Sequence, residues 1–532
     1  MNRPCRPVQP LLTTGCRTGR RTRNGPFPDT PALPGRSHHQ EPNMRKNRSA
    51  ALAAATFLLV SGTAMAAAPS AYAGAPGSTR AGDRNSDFNG DGYEDILVGA
   101  PGATVSGKKG AGLVTVQYGS SKGIGTSNAA RFSQSTSGVA GAAETGDGFG
   151  RAVATGDLDG DGYDDAVVGI PGEDIGTLKD AGGVTVLWGS KAGLKGAASD
   201  WLETEEPAAS EQFGTGLAAG RFTAETDGDL LAVLDPYGVE LFAYDAAARS
   251  SMRRESARSF GAQAEARDIR PMSMTTGDYD KNGFADLVVS GLSLGDEPGH
   301  GWSAYLSGNA DGLRYERDLR GGPVAASGDI NNDGYDDLVT GEPNSPDDQP
   351  GETRTGGVVG VRLGGPDGPA ADPDWWVQDS DGVPGVAEAG DGWGSDLSVA
   401  DTDGDGYADV AIGAAGEDIG TVRDAGAVWV LRGSATGLTA AGARSWDQNS
   451  TDVPGAAEKG DKWGAQVRLT DPNGDGRFGL LAAAPGENAG DGHIWVLSAG
   501  SGGVTAAGSW TYGAASLGAP ATGALFGSAI DE

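Results

Sequence analysis

The sequence predicts an all-β protein, a seven-bladed β-propeller, and three observations lead to this prediction. A nine-residue acidic pattern, Asp-x-Asp/Asn-x-Asp/Asn-Gly-x-x-Asp, recurs along the chain. An aromatic residue followed by glycine stands eight residues before several copies of this pattern. One more such pair lies near the C-terminus, with no acidic loop after it. Recurrence of this kind indicates a repeat architecture in which each repeat forms one small structural unit.

The acidic pattern gives the number of repeats. Complete copies begin at Asp87, Asp157, Asp278, Asp329 and Asp401, and a weaker copy begins at Asp471. The interval between the second and third complete copies is nearly double, and it holds a decayed copy in which Phe213-Gly214 precedes Arg221-Phe222. With Arg221 as the third start, the intervals are 70, 64, 57, 51, 72 and 70 residues. The chain therefore contains seven repeats, each long enough for four strands with generous loops.

Each repeat is predicted to run as strand A, acidic loop, strand B, strand C and strand D. In the second repeat these are residues 151–156, 157–165, 166–169, 183–188 and 201–204. Strand C of four other repeats is predicted at residues 112–118, 357–363, 426–431 and 493–497. Most of these segments are rich in the β-branched and aromatic residues that favour strands. No segment has the pattern of a long helix.

The aromatic-Gly pairs predict how the ring closes. They open strand A in four repeats, as Phe149-Gly150, Phe213-Gly214, Trp393-Gly394 and Trp463-Gly464. The first repeat has no such pair before its loop, whereas Phe526-Gly527 near the C-terminus has no loop after it. We therefore expect the C-terminal strand to serve as strand A of the first blade. A ring closed in this way leaves no open sheet edge.

A third recurring element follows the acidic loop, as Gly99-Ala100-Pro101 and variants of it. The variants are Gly169-Ile170-Pro171, Gly341-Glu342-Pro343 and Ala483-Ala484-Pro485. Together with the aromatic-Gly pair and the acidic loop, this element resembles the FG-GAP repeat of integrin α-subunits, over about residues 87–532. The third repeat departs by losing its loop, and the fourth and fifth lack the aromatic-Gly pair. The resemblance implies a calcium-stabilised adhesion or ligand-binding propeller, of a kind that also accompanies a phospholipase that cleaves lipid anchors.

The acidic loops have the composition of calcium sites. Calcium takes six to eight hard oxygen ligands, and alternate residues of a tight loop can direct carboxylates and one carbonyl to a single point. We predict side-chain ligands at loop positions one, three, five and nine, and a backbone carbonyl ligand at position seven. In the five complete loops these are Asp87, Asn89, Asp91, Tyr93, Asp95; Asp157, Asp159, Asp161, Tyr163, Asp165; Asp278, Asp280, Asn282, Phe284, Asp286; Asp329, Asn331, Asp333, Tyr335, Asp337; and Asp401, Asp403, Asp405, Tyr407, Asp409. In the weaker copy only Asp471, Asn473 and Asp475 remain, because Gly479 replaces the last ligand.

Two other interpretations of these loops are an EF-hand and a hairpin turn without metal. An EF-hand is excluded, because its glutamate at position twelve is replaced by Val98, Val168, Val289, Thr340 or Ile412 within predicted strands. A hairpin turn rich in Asn, Asp and Gly without any metal remains the alternative, since these residues favour turns in their own right. It has more weight for the loop at Asp471 than for the complete loops.

A second set of acidic segments is predicted on the opposite face of the ring. In a four-stranded meander the A–B loops leave one face, and the D–A and B–C connections leave the other. The segments on the second face are Glu144-Thr145-Gly146-Asp147, Glu388-Ala389-Gly390-Asp391, Glu458-Lys459-Gly460-Asp461, Glu173-Asp174 and Glu417-Asp418. We expect a ligand surface there, because binding residues concentrate on loops. The alternative is solvated loops held by structural hydrogen bonds.

Charge and the N-terminal region predict secretion. Residues 1–73 contain 10 Lys and Arg but only 2 Asp and Glu, which leaves 30 basic and 70 acidic residues beyond them, a formal charge of -40. Such a surface repels nucleic acid and anionic lipid. From Met44 a basic stretch precedes an apolar run over residues 50–60, as in a secretory signal peptide, with cleavage after Ala66 or, preferably, Ala73. An uncleaved anchor is the alternative.

The domain organisation predicted from these features has four parts. Residues 1–43 form a doubtful extension that contains Cys5 and Cys16, residues 44–73 form the signal peptide, residues 74–86 form a linker and residues 87–532 form the propeller. A mature chain without residues 1–73 then contains no disulfide. It must draw its stability outside the cell from packing and metal.

Catalysis is not expected. Residues 119–123 match the Gly-x-Ser-x-Gly nucleophile elbow, but the equivalent turns carry Lys191 or Ala435 at the middle position, so a turn is predicted. After the signal only His300 and His493 remain as histidine bases. The sequence thus predicts a secreted, monomeric, calcium-binding propeller that binds an extracellular protein ligand. A carbohydrate-binding propeller is the alternative, and a propeller hydrolase is less favoured.

Overall fold

A computed structural model describes residues 86–245, 252–259, 269–294, 300–344 and 355–531. The chain divides into residues 1–66 and residues 67–532, and every described residue belongs to the second part. The predicted extension, signal peptide and, except for Ser86, the linker lie outside the described residues, as do both cysteines. In the described ranges no helix has the length and apolar character needed to cross a membrane.

Within the described residues, seven antiparallel sheets of four strands form the blades of a propeller. The first three blades contain β1 (Ile96–Ala100), β2 (Leu113–Gln117), β3 (Ala129–Phe132); β4 (Ala152–Gly156), β5 (Asp165–Ile170), β6 (Gly183–Trp188), β7 (Lys195–Leu202); and β8 (Gly216–Gly220), β9 (Leu230–Leu234), β10 (Gly238–Tyr244), β11 (Met252–Ser259). The next three contain β12 (Ile269–Gly277), β13 (Asp286–Ser293), β14 (Gly301–Ser307), β15 (Arg314–Arg320); β16 (Val324–Gly328), β17 (Asp337–Glu342), β18 (Val358–Arg362), β19 (Asp374–Trp376); and β20 (Trp393–Ala400), β21 (Asp409–Ala414), β22 (Ala427–Arg432), β23 (Thr439–Trp446).

The last blade carries small additions to the same plan. Its sheet contains β24 (Gln466–Thr470), β25 (Gly479–Ala484), β26 (His493–Leu497) and β29 (Trp510–Gly513). A single helical turn α1 (Glu487–Gly490), a small hairpin of β27 (Ala499–Gly500) and β28 (Gly503–Val504), and a 3-10 turn at Ala514–Leu517 are added to it. The prediction that the protein has no long helix is confirmed for the described residues.

The C-terminal strand β30 (Ala529–Ile530) completes the first blade. It runs antiparallel to β1, with Val98 opposite Ile530 and Gly99 opposite Ala529. The side chain of Asp531 adds a hydrogen bond, because its Oδ1 accepts the Leu97 N–H at 3.0 Å. The predicted seven-bladed ring, closed by the C-terminal strand, is confirmed.

The hydrophobic core is divided among the blade boundaries. Buried apolar side chains of the described residues form seven clusters, one between each pair of neighbouring blades. The aromatic rings of the aromatic-Gly pairs are fully buried in these clusters. Between blades 4 and 5, where the pair is missing, Tyr279 and Tyr305 fill the boundary with rings 6.0 Å apart. The aromatic residues therefore hold blades together, as large rings do in cores.

Strand D of the second blade differs from its predicted range, and the decayed third repeat still forms a blade. Strand D of the second blade is Lys195–Leu202, so the predicted range 201–204 was wrong. A shift in its pairing with β6 after Val186 allows the strand to begin earlier, with Lys195 opposite Trp188. The decayed third repeat, in contrast, forms a complete blade, because the apolar residues of β9 are all buried although its acidic loop is lost.

The A strands surround a central cavity of about 660 Å³. The A–B and C–D connections lie at one end of the ring, and we call this end the acidic-loop face. The D–A and B–C connections lie at the other end, which we call the D–A face. This division follows from the strand order of each blade, in which neighbouring strands alternate in direction.

Candidate metal centres

The first aspartate of each acidic loop organises the loop backbone. In the first loop, Asp87 Oδ1 accepts the Asp91 N–H at 3.1 Å and Oδ2 accepts the Gly92 N–H at 2.7 Å. The bond from the glycine at position six recurs in the other loops with the aspartate at position one, at 2.7–3.1 Å. The later pairs are Asp157–Gly162, Asp278–Gly283, Asp329–Gly334, Asp401–Gly406 and Asp471–Gly476. Even the weaker loop at Asp471 therefore has this backbone arrangement.

The glycine at position six is required by backbone conformation. Its φ angle lies between 78° and 92° in all six loops, in the left-handed region that other residues rarely adopt. Position four is also left-handed, and here two loops use Lys281 (φ 59°) and Asn332 (φ 54°) in place of glycine. Position four was not predicted from the sequence, because Lys281 and Asn332 interrupt the run of glycines there.

Side chains at positions three and five also turn towards the loop. In the second loop, Asp159 Oδ1 accepts the Asp161 N–H at 3.1 Å, and Asp161 Oδ1 accepts the Tyr163 N–H at 3.1 Å. Equivalent bonds from position seven to the side chain at position five occur in the other loops. Ligand oxygens of Asp157, Asp159 and Asp165 lie within 4.8 Å of one another, as do those of Asp401, Asp403 and Asp405. These two sets are close enough to share one cation.

The aspartate at position nine joins the acidic loop to the turn between strands C and D. In blade 2, Asp165 Oδ2 accepts the Leu158 N–H at 3.0 Å, and its Oδ1 accepts the Gly189 N–H at 2.8 Å. Asp95, Asp286, Asp337 and Asp409 make the same pair of bonds to their own loops and turns. All five are at most 1% exposed. This second, purely structural role is one that the sequence pattern did not indicate.

Burial disfavours the ionised form of these carboxylates. It raises the pKa of Asp95 and Asp286 to about 8 and that of Asp337 to about 7, although backbone N–H donors oppose the shift. Neighbouring loop aspartates raise the pKa further, because like charges disfavour ionisation. A divalent cation bound among these oxygens would relieve both effects. The donor set, carboxylate and amide oxygens with one carbonyl, fits a hard cation such as calcium.

The acidic loops also contact the next blade. The N–H at position eight of one loop donates to the carbonyl at position one of the preceding loop, for example from Asp336 to Asp278 at 3.1 Å. Such bonds occur at six of the seven boundaries of the described ring, at 2.9–3.3 Å. At the boundary of blades 7 and 1, Glu94 Oε2 accepts the Asp471 N–H at 2.6 Å instead. A cation that orders one loop therefore also orders the boundary to its neighbour.

The acidic segments of the D–A face form a hydrogen-bonded link at three blade boundaries. Gln134, which follows strand D of blade 1, donates from Nε2 to Glu173 Oε2 of blade 2 at 2.7 Å. The equivalent pairs are Gln378 with Glu417 at 3.0 Å and Gln448 with Glu487 at 2.9 Å. These glutamines were not predicted from the sequence, although each precedes its glutamate by 39 residues.

The other acidic residues of these segments bond to the backbone of their own segment or connection. The carboxylate of Asp147 accepts the Glu144 N–H, and Asp391 and Asp461 do the same for Glu388 and Glu458. Burial raises the pKa of each linking glutamate, Glu173 included, to about 7, and nearby aspartates add to the shift. For Glu173 and Glu417 the structural role foreseen as an alternative is therefore present. Asp174 and Asp418 accept backbone N–H bonds within their own B–C connections.

The Gly-x-Ser-x-Gly match lies in the C–D turn of the first blade. Ser120 Oγ donates to the Gly123 carbonyl at 2.8 Å, and the Gly123 N–H donates to the Ser120 carbonyl at 2.6 Å. Ser190 and Ser434 make the same side-chain bond in the turns of blades 2 and 6. The predicted turn is confirmed.

These features define a class of protein: a closed seven-bladed β-propeller with acidic loops on one face. The family model of the FG-GAP repeat matches the chain at residues 85–116, 149–187, 321–360 and 393–431. The chain thus contains FG-GAP repeats in four places, and the seven-bladed ring of its described residues resembles an integrin α-like N-terminal propeller.

Relatives with similar sequence are phosphatidylinositol-glycan-specific phospholipases D. The chain is 35% identical to that of Bos taurus, 34% to that of Rattus norvegicus and 33% to that of Mus musculus. Each match spans 109 residues, which is 20% of this chain and 13% of the relative. The chain thus matches only about an eighth of the length of these enzymes.

Proposed function

We propose that the protein is a secreted, calcium-stabilised propeller that binds a protein ligand through its D–A face. One observation carries the proposal: among the described residues, the large hydrophobic side chains that are more than a third exposed all belong to the D–A face. They are Tyr237, Met272, Leu294, Val386 and Leu525. Exposed apolar surface marks interaction sites in soluble proteins, and these five side chains place the large exposed apolar groups of the described residues at one end of the ring.

The positions of these side chains define the face. Tyr237, 65% exposed, lies in the turn between β9 and β10, and Leu294, 57% exposed, follows β13. Val386, 67% exposed, and Leu525 lie in D–A connections. Met272 lies near the start of β12 and lines the central cavity at this end. The acidic segments lie on the same face, so a ligand with apolar and basic side chains matches the surface best.

Calcium has a structural part in this proposal. The acidic loops lie on the opposite face, where carboxylate oxygens converge in two of them and where their backbones join neighbouring blades. Extracellular calcium concentrations suit sites of moderate affinity. The proposal includes no catalytic step, and the likeness to phospholipases D enters it only as a likeness of propeller repeats.

The binding proposal is tested by paired surface variants. Tyr237→Ser and Val386→Ser remove exposed apolar groups from the D–A face. The control, Ala435→Ser, changes an exposed small apolar side chain in a C–D connection of the acidic-loop face. We expect the wild-type protein to bind members of an array of extracellular-matrix proteins, with binding weakened at least tenfold in the first two variants and unchanged in the third. Binding to a glycan array alone would favour the carbohydrate-binding alternative.

Secretion is tested separately. The full chain should be recovered outside the cells that express it, with Gly74 as its first residue if cleavage follows Ala73. N-terminal sequencing of the extracellular protein gives the answer, and a chain retained in the membrane fraction with residues 44–73 intact would show the uncleaved anchor.

A further inference from the structure

We infer that the acidic loop of blade 6 holds its own cation, the guanidinium of Arg432, in place of calcium. The inference rests on the proposed calcium function, and it divides the five complete loops into two kinds. Four of them bind a metal ion, whereas the loop that begins at Asp401 binds the guanidinium of Arg432.

The guanidinium lies among the predicted ligands of this loop. Arg432 Nη1 donates to Asp409 Oδ2 at 2.7 Å and lies 3.1 Å from Asp403 Oδ2, so it contacts positions nine and three together. It also donates to Thr402 Oγ1 at 2.8 Å, and this hydroxyl in turn donates to Asp409 Oδ2. The arginine side chain is 14% exposed. Hydrogen bonds between ionised partners at these distances are among the strong ones.

The other loops have no such cation at this position. Arg432 precedes the glycine that opens the C–D turn, and the residues at the same place in blades 1, 2, 4 and 5 are Tyr118, Trp188, Ser307 and Leu363. In blade 2 the ligand oxygens that converge include the aspartate at position nine, Asp165. In blade 6 the converging set is Asp401, Asp403 and Asp405, without the position-nine Asp409. The oxygen of Asp409 faces the guanidinium instead.

Arg432 also contacts blade 7. Its Nη2 donates to the Gly502 carbonyl at 2.6 Å, in the hairpin of β27 and β28 that blade 7 adds to the common plan. A calcium ion in this loop would stand within a few ångströms of a positive charge that is fixed at both ends. Repulsion between like charges at such a distance is strong where water is largely excluded. The guanidinium thus replaces the metal and ties blade 6 to blade 7.

Removing the arginine should create a calcium site. Arg432→Ser copies Ser307 of blade 4, and Arg432→Gln is a second neutral variant in case the first does not fold. Arg444→Gln is the matched control, because Arg444 reaches the same hairpin through the Val504 carbonyl, and none of its hydrogen bonds goes to a carboxylate of the loop. Calcium bound per chain is counted by equilibrium dialysis with calcium alone, and folding is verified by circular dichroism.

We expect either neutral variant to bind one calcium ion more than the wild type, and Arg444→Gln to bind the same number as the wild type. Thermal unfolding should also depend more strongly on calcium in Arg432→Ser than in the wild type. A folded neutral variant with an unchanged count, beside a wild type that binds calcium, would overturn the inference alone. A wild type that binds no calcium would overturn the proposed function and the inference together.

Discussion

Single aspartates combine two tasks in this protein. At position nine, a carboxylate that is predicted as a metal ligand also accepts backbone N–H groups from its loop and from the C–D turn. These bonds need no metal, so the loop geometry is prepared before a cation arrives. Preparation of this kind lowers the cost of ordering the loop when a ligand binds.

Removal of such an aspartate should therefore destabilise the protein even without calcium. In Asp165→Ala the N–H groups of Leu158 and Gly189 lose their partner, and buried unpaired donors cost about 1–3 kcal/mol each. We expect a loss of at least about 2 kcal/mol in the free energy of unfolding, measured by urea denaturation with chelator. Asp161→Ala is the control, because the Tyr163 N–H that Asp161 accepts is exposed to solvent. This variant should lose stability only when calcium is present. Equal losses with chelator would contradict this view.

Backbone conformation at position six gives a second prediction. Gly283 has a φ of 88°, and a Cβ atom added there would meet open space. Gly283→Ala should cost about 1 kcal/mol from backbone conformation alone, since a left-handed alanine is unfavourable by about 1–2 kcal/mol and the unfolded chain is slightly stiffened. Gly125→Ala, at an equally open glycine without positive φ, should leave the midpoint of urea unfolding unchanged or raised. A loss at both positions would point to another cause.

The glutamates of the D–A face make stability depend on pH. Burial raises the pKa of Glu173 from its ordinary 4.5 to about 7, and the hydrogen bond from Gln134 only partly opposes the shift. The folded protein thus retains a proton that the unfolded chain releases, so stability falls as pH rises from about 4.5 through 7. Glu173→Gln removes this titration and retains a hydrogen-bond acceptor for Gln134. Its unfolding midpoint should fall less between pH 5 and pH 8 than that of the wild type, and identical profiles would contradict the assignment.

At the scale of the strands, each blade is completed by its neighbours. The aromatic-Gly segment bonds to the B–C connection of the preceding blade, as in the bond from the Phe149 N–H to the Ala111 carbonyl at 3.0 Å. On the other face, the acidic loops bond to one another from blade to blade. No blade therefore has its full set of hydrogen bonds alone, and ring closure should stabilise the whole propeller.

Deletion of residues 526–532 tests this dependence. It removes Phe526 from the boundary of blades 7 and 1 and leaves the edge of β1 open at Val98 and Gly99. We expect loss of about 3–5 kcal/mol from the buried phenylalanine alone and association through the exposed strand edge. The measurement is thermal unfolding with light scattering after size exclusion. A monomer with an unchanged midpoint would show that closure contributes little.

For the whole molecule, the features that could be predicted from the sequence are mainly those that recur in every repeat. The blade count, the ring closure and the loop ligands were predicted because each depends on residues at fixed spacing within a repeat. Arg432 was not, since it reaches its loop from another strand and occurs in a single blade. The link from Gln134 to Glu173 was missed although its spacing recurs, because glutamine was not sought as a partner of buried carboxylates. The loop ligands themselves stay a prediction until calcium is measured.

Calcium should contribute a large part of the net stability of the ring. A site held about tenfold above its dissociation constant adds about 1.4 kcal/mol, so four such sites add about 5–6 kcal/mol. This is comparable with the whole free energy of unfolding of an ordinary domain, about 5–15 kcal/mol. Several weak sites can thus govern whether the propeller stays folded outside the cell.

The most direct test is a count of calcium per chain together with thermal unfolding of the chain from Gly74, in calcium and in chelator. The account predicts at least four bound calcium ions and a fall of about 5 °C or more in the unfolding midpoint when calcium is removed. A folded protein with no bound calcium and the same midpoint in both conditions would contradict the central claim that these loops are metal centres.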